Sequence, residues 1–409
     1  MIDNEINLIP VLLGGDLNSY NVARAFHEKY GVKTHVFGRY SIGPTKNSKI
    51  VIFHTVPKMD NDAIMVEELR NFADKHEGAR FILLGCTDDY AAMIIRNKER
   101  LEDKYACPYI DEPLMDELVS KAVFYEMCEK YGIPYPKTKV LTSEFTAEDL
   151  TEDALGFSYP IIVKPSSSIA YWKHPFEGMK KVYTAENAAE AEKIVAEIYA
   201  AGYPDKMILQ DMIPGDDSNM YVLTAYSDSS AKVKMMCLGH VLLEEHTPKG
   251  LGNHAAIITE YKPELTERFR LMLDDLGYKG FSNFDIKYDS RDGSLRAFEI
   301  NLRQGRSNYY ITSAGINIAE LITRDMLLGE ELDYEECRES HFWHTIPFGV
   351  VKKYVHDKPS LCKAKELKKS GKSRTSLWYA HDLMFNPKRL IWVAEHMRRQ
   401  WGKYKKYCR

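Results

Sequence analysis

From residue 1 to about 115 the chain alternates short apolar runs with helical patterns. IPVLLGG, THVFG, KIVIFHTVP and FILLGC read as strands. SYNVARAFHEKYG, AIMVEELRNFADKHE and DDYAAMIIRNKERLED carry the spacing of amphipathic helices. This rhythm predicts a parallel sheet covered on both faces. Gly14-Gly15-Asp16 and Gly85-Cys86-Thr87-Asp88 fall where strands give way to helices, the end at which such sheets bind ligands. The first turn lacks G-x-G-x-x-G spacing, which argues against a dinucleotide. Structural turns account for these glycines; a small substrate there would touch Asp16, Asn18 or Ser19.

The second part reads differently. LVSKAVFYEMCEKYGI predicts a helix, stopped by Pro134 and Pro136. PKTKVL and FSYPIIVKPSSS follow as extended segments, then a strand feeding a long helix (GMKKVYTAENAAEAEKIVAEIYAAGY), then the strand KMILQDMI. MYVLTAYS and AKVKMMCLGHVLLEE predict further strands. HTPKGLGNHAAI, residues 246–257, reads as a loop with Lys249 and His254 flanking its glycines, and ELTERFRLMLDDLGY as a helix. Residues from about 340 onward read as a mostly helical extension. The overall class is α/β passing into α+β, with expected segments 1–115, 116–215, 216–340 and 341–409.

SNFDIKYDSRDGSLRAFEINLRQGRSN, from Ser282 to Asn308, predicts a hairpin about the turn Ser290 to Gly293. Phe284 and Ile286 alternate with Asp285 and Lys287; Phe298 and Ile300 alternate with Glu299, Asn301 and Arg303. Reflection about residue 292 sets Asp285 opposite Glu299, and two facing carboxylates repel. A divalent cation removes the penalty, and Asp285, Glu299 and Asn301 offer the hard oxygens that Mg²⁺ prefers. Neutralisation by Lys287 and Arg303 on a plain surface is the alternative. The apolar alternation favours the metal, because it marks the opposite face as core.

Lys164 ends an apolar strand before Pro165 and Ser166, Ser167 and Ser168. A cation beside a small hydroxyl-bearing loop suits a phosphate chain, although a lysine at a strand end is often merely solvated. Gln210 to Ile213 ends another strand and offers backbone groups to a purine, with Asp216 and Asp217 beyond Gly215 for ribose hydroxyls; a Pro-Gly-Asp-Asp turn also stands without a ligand.

Composition adds limits. The chain has 409 residues, 44% hydrophobic and 28% charged, values of an ordinary globular protein. It has no apolar run long enough to span a membrane, and its acidic start is no secretory signal. Seven cysteines without C-x-x-C spacing argue against zinc and disulfides, so a reducing cytoplasm is the expected compartment. The net charge of −4 hides an asymmetry: residues 351–409 hold 17 Lys/Arg against 4 Asp/Glu. Such a tail suits an anionic membrane surface or a large anionic substrate, or is simply a solvated helical segment. No nucleic-acid partner is expected.

The order of the pieces carries most. Lys121, Lys164 with its small-residue loop, Gln210-Asp211-Met212-Ile213, then Asp285 and Glu299-x-Asn301 resemble the ATP-grasp superfamily of carboxylate–amine ligases. Within it, the chain resembles the D-aspartate ligase type of peptidoglycan cross-bridge enzymes, in size and in the basic extension. The resemblance implies a Rossmann-like pre-ATP-grasp domain, a central subdomain and a C-terminal ATP-grasp subdomain with that extension. It implies that Lys121 and Lys164 hold ATP phosphates, that Gln210, Asp211, Met212 and Ile213 form the adenine hinge, and that Asp217 meets the ribose, with Asp211 the rival acid. It implies Mg²⁺ on Asp285, Glu299 and Asn301, and Arg303 on the acyl phosphate or substrate carboxylate, with Gly305 and Ser307 nearby. Two features depart from the pattern: the phosphate loop is serine-rich instead of glycine-rich, and Gln210-Asp211 stands where a Glu is frequent.

The implied reaction is ATP-driven amide formation through an acyl phosphate, joining D-aspartate or another amino acid to an amine of a cell-wall stem peptide. Arg303 and Lys164 would stabilise charge; the loop 246–257 either supplies His254 to take the amine proton or is a surface loop without catalytic duty. A ligase making a soluble dipeptide, an ATP-grasp kinase and a non-catalytic nucleotide-binding module are the alternatives. Phosphate release only in the presence of both acid and amine distinguishes a ligase from a kinase.

Overall fold

The computed structural model describes residues 6–180, 182–248 and 250–408. Strands β1 (Leu8–Leu13), β2 (Thr34–Gly38), β3 (Val51–Thr55), β4 (Arg80–Gly85) and β5 (Tyr105–Ala106) form a parallel sheet ordered β3-β2-β1-β4-β5. The most apolar strand, LIPVLL, lies centrally, where both faces are covered. Strand order reverses at β1, so its C-terminal end is a switch point of the kind that receives ligands. Asp16 caps the helix Leu17–Tyr30 by accepting from the Asn18 and Ser19 amides, and Thr87 caps Asp88–Arg96.

Next come β6 (Thr138–Leu141), β7 (Ile161–Pro165), β8 (Tyr183–Ala185) and β9 (Met207–Asp211), an antiparallel sheet ordered β6-β9-β7-β8. The helix Ala188–Ala200 is buried against it through Ala191, Val195 and Ile198, among a core that includes Leu150, Val163, Tyr171 and Leu209.

The third sheet holds β10 (Met220–Ser227), β11 (Val233–Glu244), β12 (His254–Glu260), β13 (Gly280–Asp289), β14 (Ser294–Asn301), β15 (Glu335–Glu336), β16 (Phe342–His344) and β17 (Ser373–Thr375). Its order is β14-β13-β10-β11-β12-β16-β17, with β15 on β11. Residues 254–257, expected in a loop, lie in β12, which is buried on both faces from His254 to Thr259 and so shows no alternation. The segment from 340 onward is not wholly helical, because β16 and β17 join this sheet. Phe298, expected on the core face, is only half-buried.

By contacts the chain forms two units, one of residues 1–115, 216–284 and 301–409, the other of 116–215 and 285–300. In the first, the helix Pro387–Tyr407 is pinned by a fully buried ion pair. Arg389 Nε donates to Asp382 at 2.9 Å, and Asp382 also accepts from the Tyr20 hydroxyl, the Ser48 hydroxyl and the Lys49 amide. The guanidinium lies over the Tyr20 and Trp392 rings, 4.6 and 5.0 Å from their centroids. Both carboxylate oxygens of Asp382 thus accept hydrogen bonds, which offsets the cost of burying its charge. Among the described residues no helix is long and apolar enough to cross a membrane.

Candidate active site

In the unit of residues 116–215 and 285–300, β7 and β9 place Lys164 and Gln210 one diagonal step apart. The buried Lys164 ammonium donates to Gln210 Oε1 at 2.9 Å and to the Tyr125 hydroxyl at 3.3 Å, and lies 5.8 Å from the Phe298 ring centroid. Gln210 Nε2 donates in turn to Tyr125 and Thr138. Burial pushes the Tyr125 hydroxyl well above its ordinary range, so it stays neutral. A neutral amide therefore orients the lysine without cancelling its charge. Gln210 is where the resembled family often has a glutamate, which would cancel it.

Lys121 opens the helix Lys121–Lys130 behind Ser120, at the end where the helix dipole repels a cation. Glu299 offsets this from 3.3 Å. The first expected phosphate ligand and the expected metal ligand are thus brought together. Asp285 is half-buried on β13.

Asp211 is occupied otherwise. Arg291 grips it with Nη1 at 3.0 Å and Nη2 at 2.5 Å while also pairing with Asp289, which Arg296 meets at 3.1 Å. Its carboxylate belongs to a structural ion network at the hairpin turn. The half-buried Met212 follows, and the Ile213 and Gly215 carbonyls receive the Lys287 ammonium at 2.9 and 3.2 Å. Ser166 is buried and its amide donates to the Lys206 carbonyl. Ser167 caps the short helix Ser168–Trp172 through a bond from the Ala170 amide. The Ser168 side chain and Lys249 lie outside the described residues.

In the other unit, Asp217 accepts the Glu244 amide at 2.8 Å and His246 Nε2 at 2.7 Å, fixing the start of the loop after β11. His254 faces Glu244 across β11 and β12, 3.6 Å away. Burial, helped by Arg306, lowers the His254 imidazole to about 4, so it is neutral at pH 7 and a weak base.

At the β1 switch point the segment after β14 returns. Gln304 Nε2 donates to Asn18 Oδ1 and the Gly85 carbonyl, Asn18 Nδ2 to the Cys86 and Gln304 carbonyls, and Asn308 Nδ2 to Asn18 Oδ1 at 2.8 Å. Ser19 Oγ, Gln304 Oε1 and Asn308 Oδ1 are buried without a hydrogen-bond partner among the described residues. Native interiors seldom leave such atoms unsatisfied. Burial pushes the Cys86 thiol up to about 12, so it is no nucleophile at neutral pH. Arg303 pairs with Asp88 at 2.8 Å, and Arg306 with Glu245 at 3.1 Å and Asp16 at 3.7 Å. Burial outweighs Arg306 and raises the Asp16 carboxyl. Ser307 is buried beside them in sequence. Gln304, Arg306 and Asn308 were not singled out from sequence. Their signal was the largely polar stretch Arg303 to Asn308 that follows β14 and Leu302.

Asn301 Nδ2 donates to the Asn283 carbonyl at 3.3 Å, which makes Oδ1 its ligand-type atom. A Cβ at Gly305 would meet Asn283 Oδ1 at 2.4 Å, so a larger residue there would displace that side chain from its bond with Thr224. Asp285 and Glu299 in one unit, and Asn301 in the other, each carry the hard oxygen type that Mg²⁺ prefers. Among the described residues no group of three His, Cys, Asp or Glu side chains is placed for a metal.

No family model matches the chain. It is 38% identical over 389 residues to a D-aspartate ligase of Enterococcus faecium (strain Aus0004), covering 93% of this chain and 92% of that one. The chain belongs to the D-aspartate ligase family. It is also 22% identical over 222 residues to a D-alanine–D-alanine ligase of Haemophilus influenzae (strain PittEE), covering 51% and 68% of the two chains. Among solved structures it resembles an L-amino acid ligase from Bacillus licheniformis (TM-score 0.52, 15% identity, 79% of this chain and 75% of that one). A biotin carboxylase domain from Hydrogenobacter thermophilus, in complex with MgADP, resembles it with TM-score 0.58 at 16% identity over 81% and 73% of the chains. These structural likenesses establish the ATP-grasp fold. As a member of the D-aspartate ligase family with that fold, the protein is an ATP-dependent carboxylate–amine ligase.

Proposed function

We propose that this family member activates D-aspartate with ATP and joins it to an amine of a peptidoglycan-precursor stem peptide, in the cytoplasm. The observation that carries this is identity of 38% over 93% of this chain and 92% of the relative. A carboxylate is a poor electrophile. The substrate carboxylate therefore attacks the γ-phosphorus, giving an acyl phosphate and ADP, and the amine then attacks the acyl carbon and expels phosphate.

In this reading Lys164 and Lys121 hold the phosphate chain, and phosphates compete with Glu299 for Lys121. Asp285, Glu299 and Asn301 would hold Mg²⁺, which supplies positive charge to the phosphate oxygens. Arg303 meets the acyl phosphate or carboxylate. The backbone from Gln210 to Ile213 receives the adenine, Asp217 lies toward the ribose, and Ser166 to Ser168 border the phosphates. Asp16, Asn18, Ser19, His254 and Ser307 border the amino acid, where the unsatisfied oxygens of Ser19, Gln304 and Asn308 fit an ammonium or hydroxyl donor. The basic extension draws in an acceptor that carries phosphates.

An ADP-release and hydroxamate screen over amino acids of both hands tests this. D-aspartate is expected to give the highest rate; a preference for L-amino acids, or phosphate left on the product, overturns the reading.

A further inference from the structure

The helix Pro387–Tyr407 buries one stripe, Arg389, Val393, Met397, Gln400 and Tyr404, and turns the opposite side outward. On that outer side Ile391, Arg398 and Lys405 recur every seven residues, flanked by Leu390, Ala394 and Trp401 on one side and by Lys388, Arg399 and Lys406 on the other. All of these are exposed. Just before the helix the chain forms a tip at Met384 and Phe385. Phe385 is 89% exposed, Ile391 69% and Met384 56%.

The tip is built rather than frayed. Phe385 has φ 57°, a left-handed conformation that a bulky side chain adopts only when its surroundings impose it. The Met384 amide donates to the Ala380 carbonyl and the Asn386 amide to the Leu383 carbonyl, and Asn386 Nδ2 donates to the Asn47 carbonyl at 2.8 Å. The Lys49 ammonium bonds the Met384 carbonyl and lies 5.9 Å from the Phe385 ring centroid. Nearby acids offset the cations only in part: Asp382 is buried on Arg389, and the single carboxylate of Glu395 is shared between Arg398 and Arg399, so the face stays net positive.

Apolar side chains held outward beside a row of Lys and Arg match the boundary between lipid headgroups and acyl chains, where the apolar atoms insert and the cations meet phosphates. Pairing with a second copy of so basic a face is opposed by like-charge repulsion. We propose that this face adsorbs to an anionic lipid bilayer. Phe385, Met384 and Ile391 enter the headgroup boundary, and Lys49, Lys388, Arg398 and Lys405 bind lipid phosphates. This goes beyond the ligase reading.

The test is co-sedimentation of the full chain with vesicles of phosphatidylglycerol and phosphatidylcholine, against phosphatidylcholine alone, at low and high salt. Binding is expected to anionic vesicles only, falling with salt. The Phe385→Asp/Ile391→Asp variant is expected to bind about tenfold or more weaker, with turnover on soluble substrates unchanged. Equal binding to both vesicle types, unchanged binding by the variant, or a wild-type dimer that the variant dissolves would each overturn the proposal. Sedimentation needs no turnover, so failure of the D-aspartate assignment shows up separately.

Discussion

Gln210 gives Lys164 a hydrogen-bond partner that carries no charge. A carboxylate at the same distance would neutralise the ammonium before any nucleotide arrived, and with it part of the attraction for phosphate. Gln210→Glu is therefore expected to raise the dissociation constant for ATP several-fold at unchanged fold, measured by calorimetry; tighter binding would contradict a phosphate role for Lys164. Glu299 stands in the opposite position, spending its charge on Lys121. Glu299→Gln keeps the shape and removes the anionic metal ligand, so turnover is expected to fall by about two powers of ten, with partial recovery at high Mg²⁺. Wild-type rates in that variant would refute the metal assignment.

Among the elements, the helix Pro387–Tyr407 depends on a single polar anchor. Asp382→Ala leaves Arg389 charged and unpaired among rings, and is expected to cost about 3–5 kcal/mol of stability, read from urea denaturation. The elements legible in the sequence included β1, as a short apolar run, and the helix Pro263–Asp275, whose buried Thr266, Phe269, Met272 and Leu273 keep helical spacing. β12 was not legible. Its residues are buried on both sides, and the glycine-rich stretch before it reads as loop throughout. β16 and β17, three residues each, are too short to show a period. In the candidate site, Lys164 and Glu299 stood out by charge against an apolar background. The engagement of Asp211 by Arg291 depends on a hairpin folding back across 80 residues, which no local pattern records. Asp217 likewise read as an open turn acid, and its bonds to Glu244 and His246 come from the end of β11 and the loop after it, 27 and 29 residues on.

At the scale of the whole molecule, the division into units does not follow chain order, since residues 285–300 group with 116–215. Nothing in the sequence punctuates that change, because Gly280–Asp289 is one continuous strand without glycine or proline at 284 or 285. The buried pair of Asp382 with Arg389 has a last consequence, for biosynthesis. The carboxylate that receives the Tyr20 hydroxyl is added 362 residues after it. At about 5–20 residues per second a ribosome needs roughly 20–70 seconds to supply it. Through that interval Tyr20, on the helix that follows β1, waits without its buried partner, and chaperone demand during translation is expected to concentrate there.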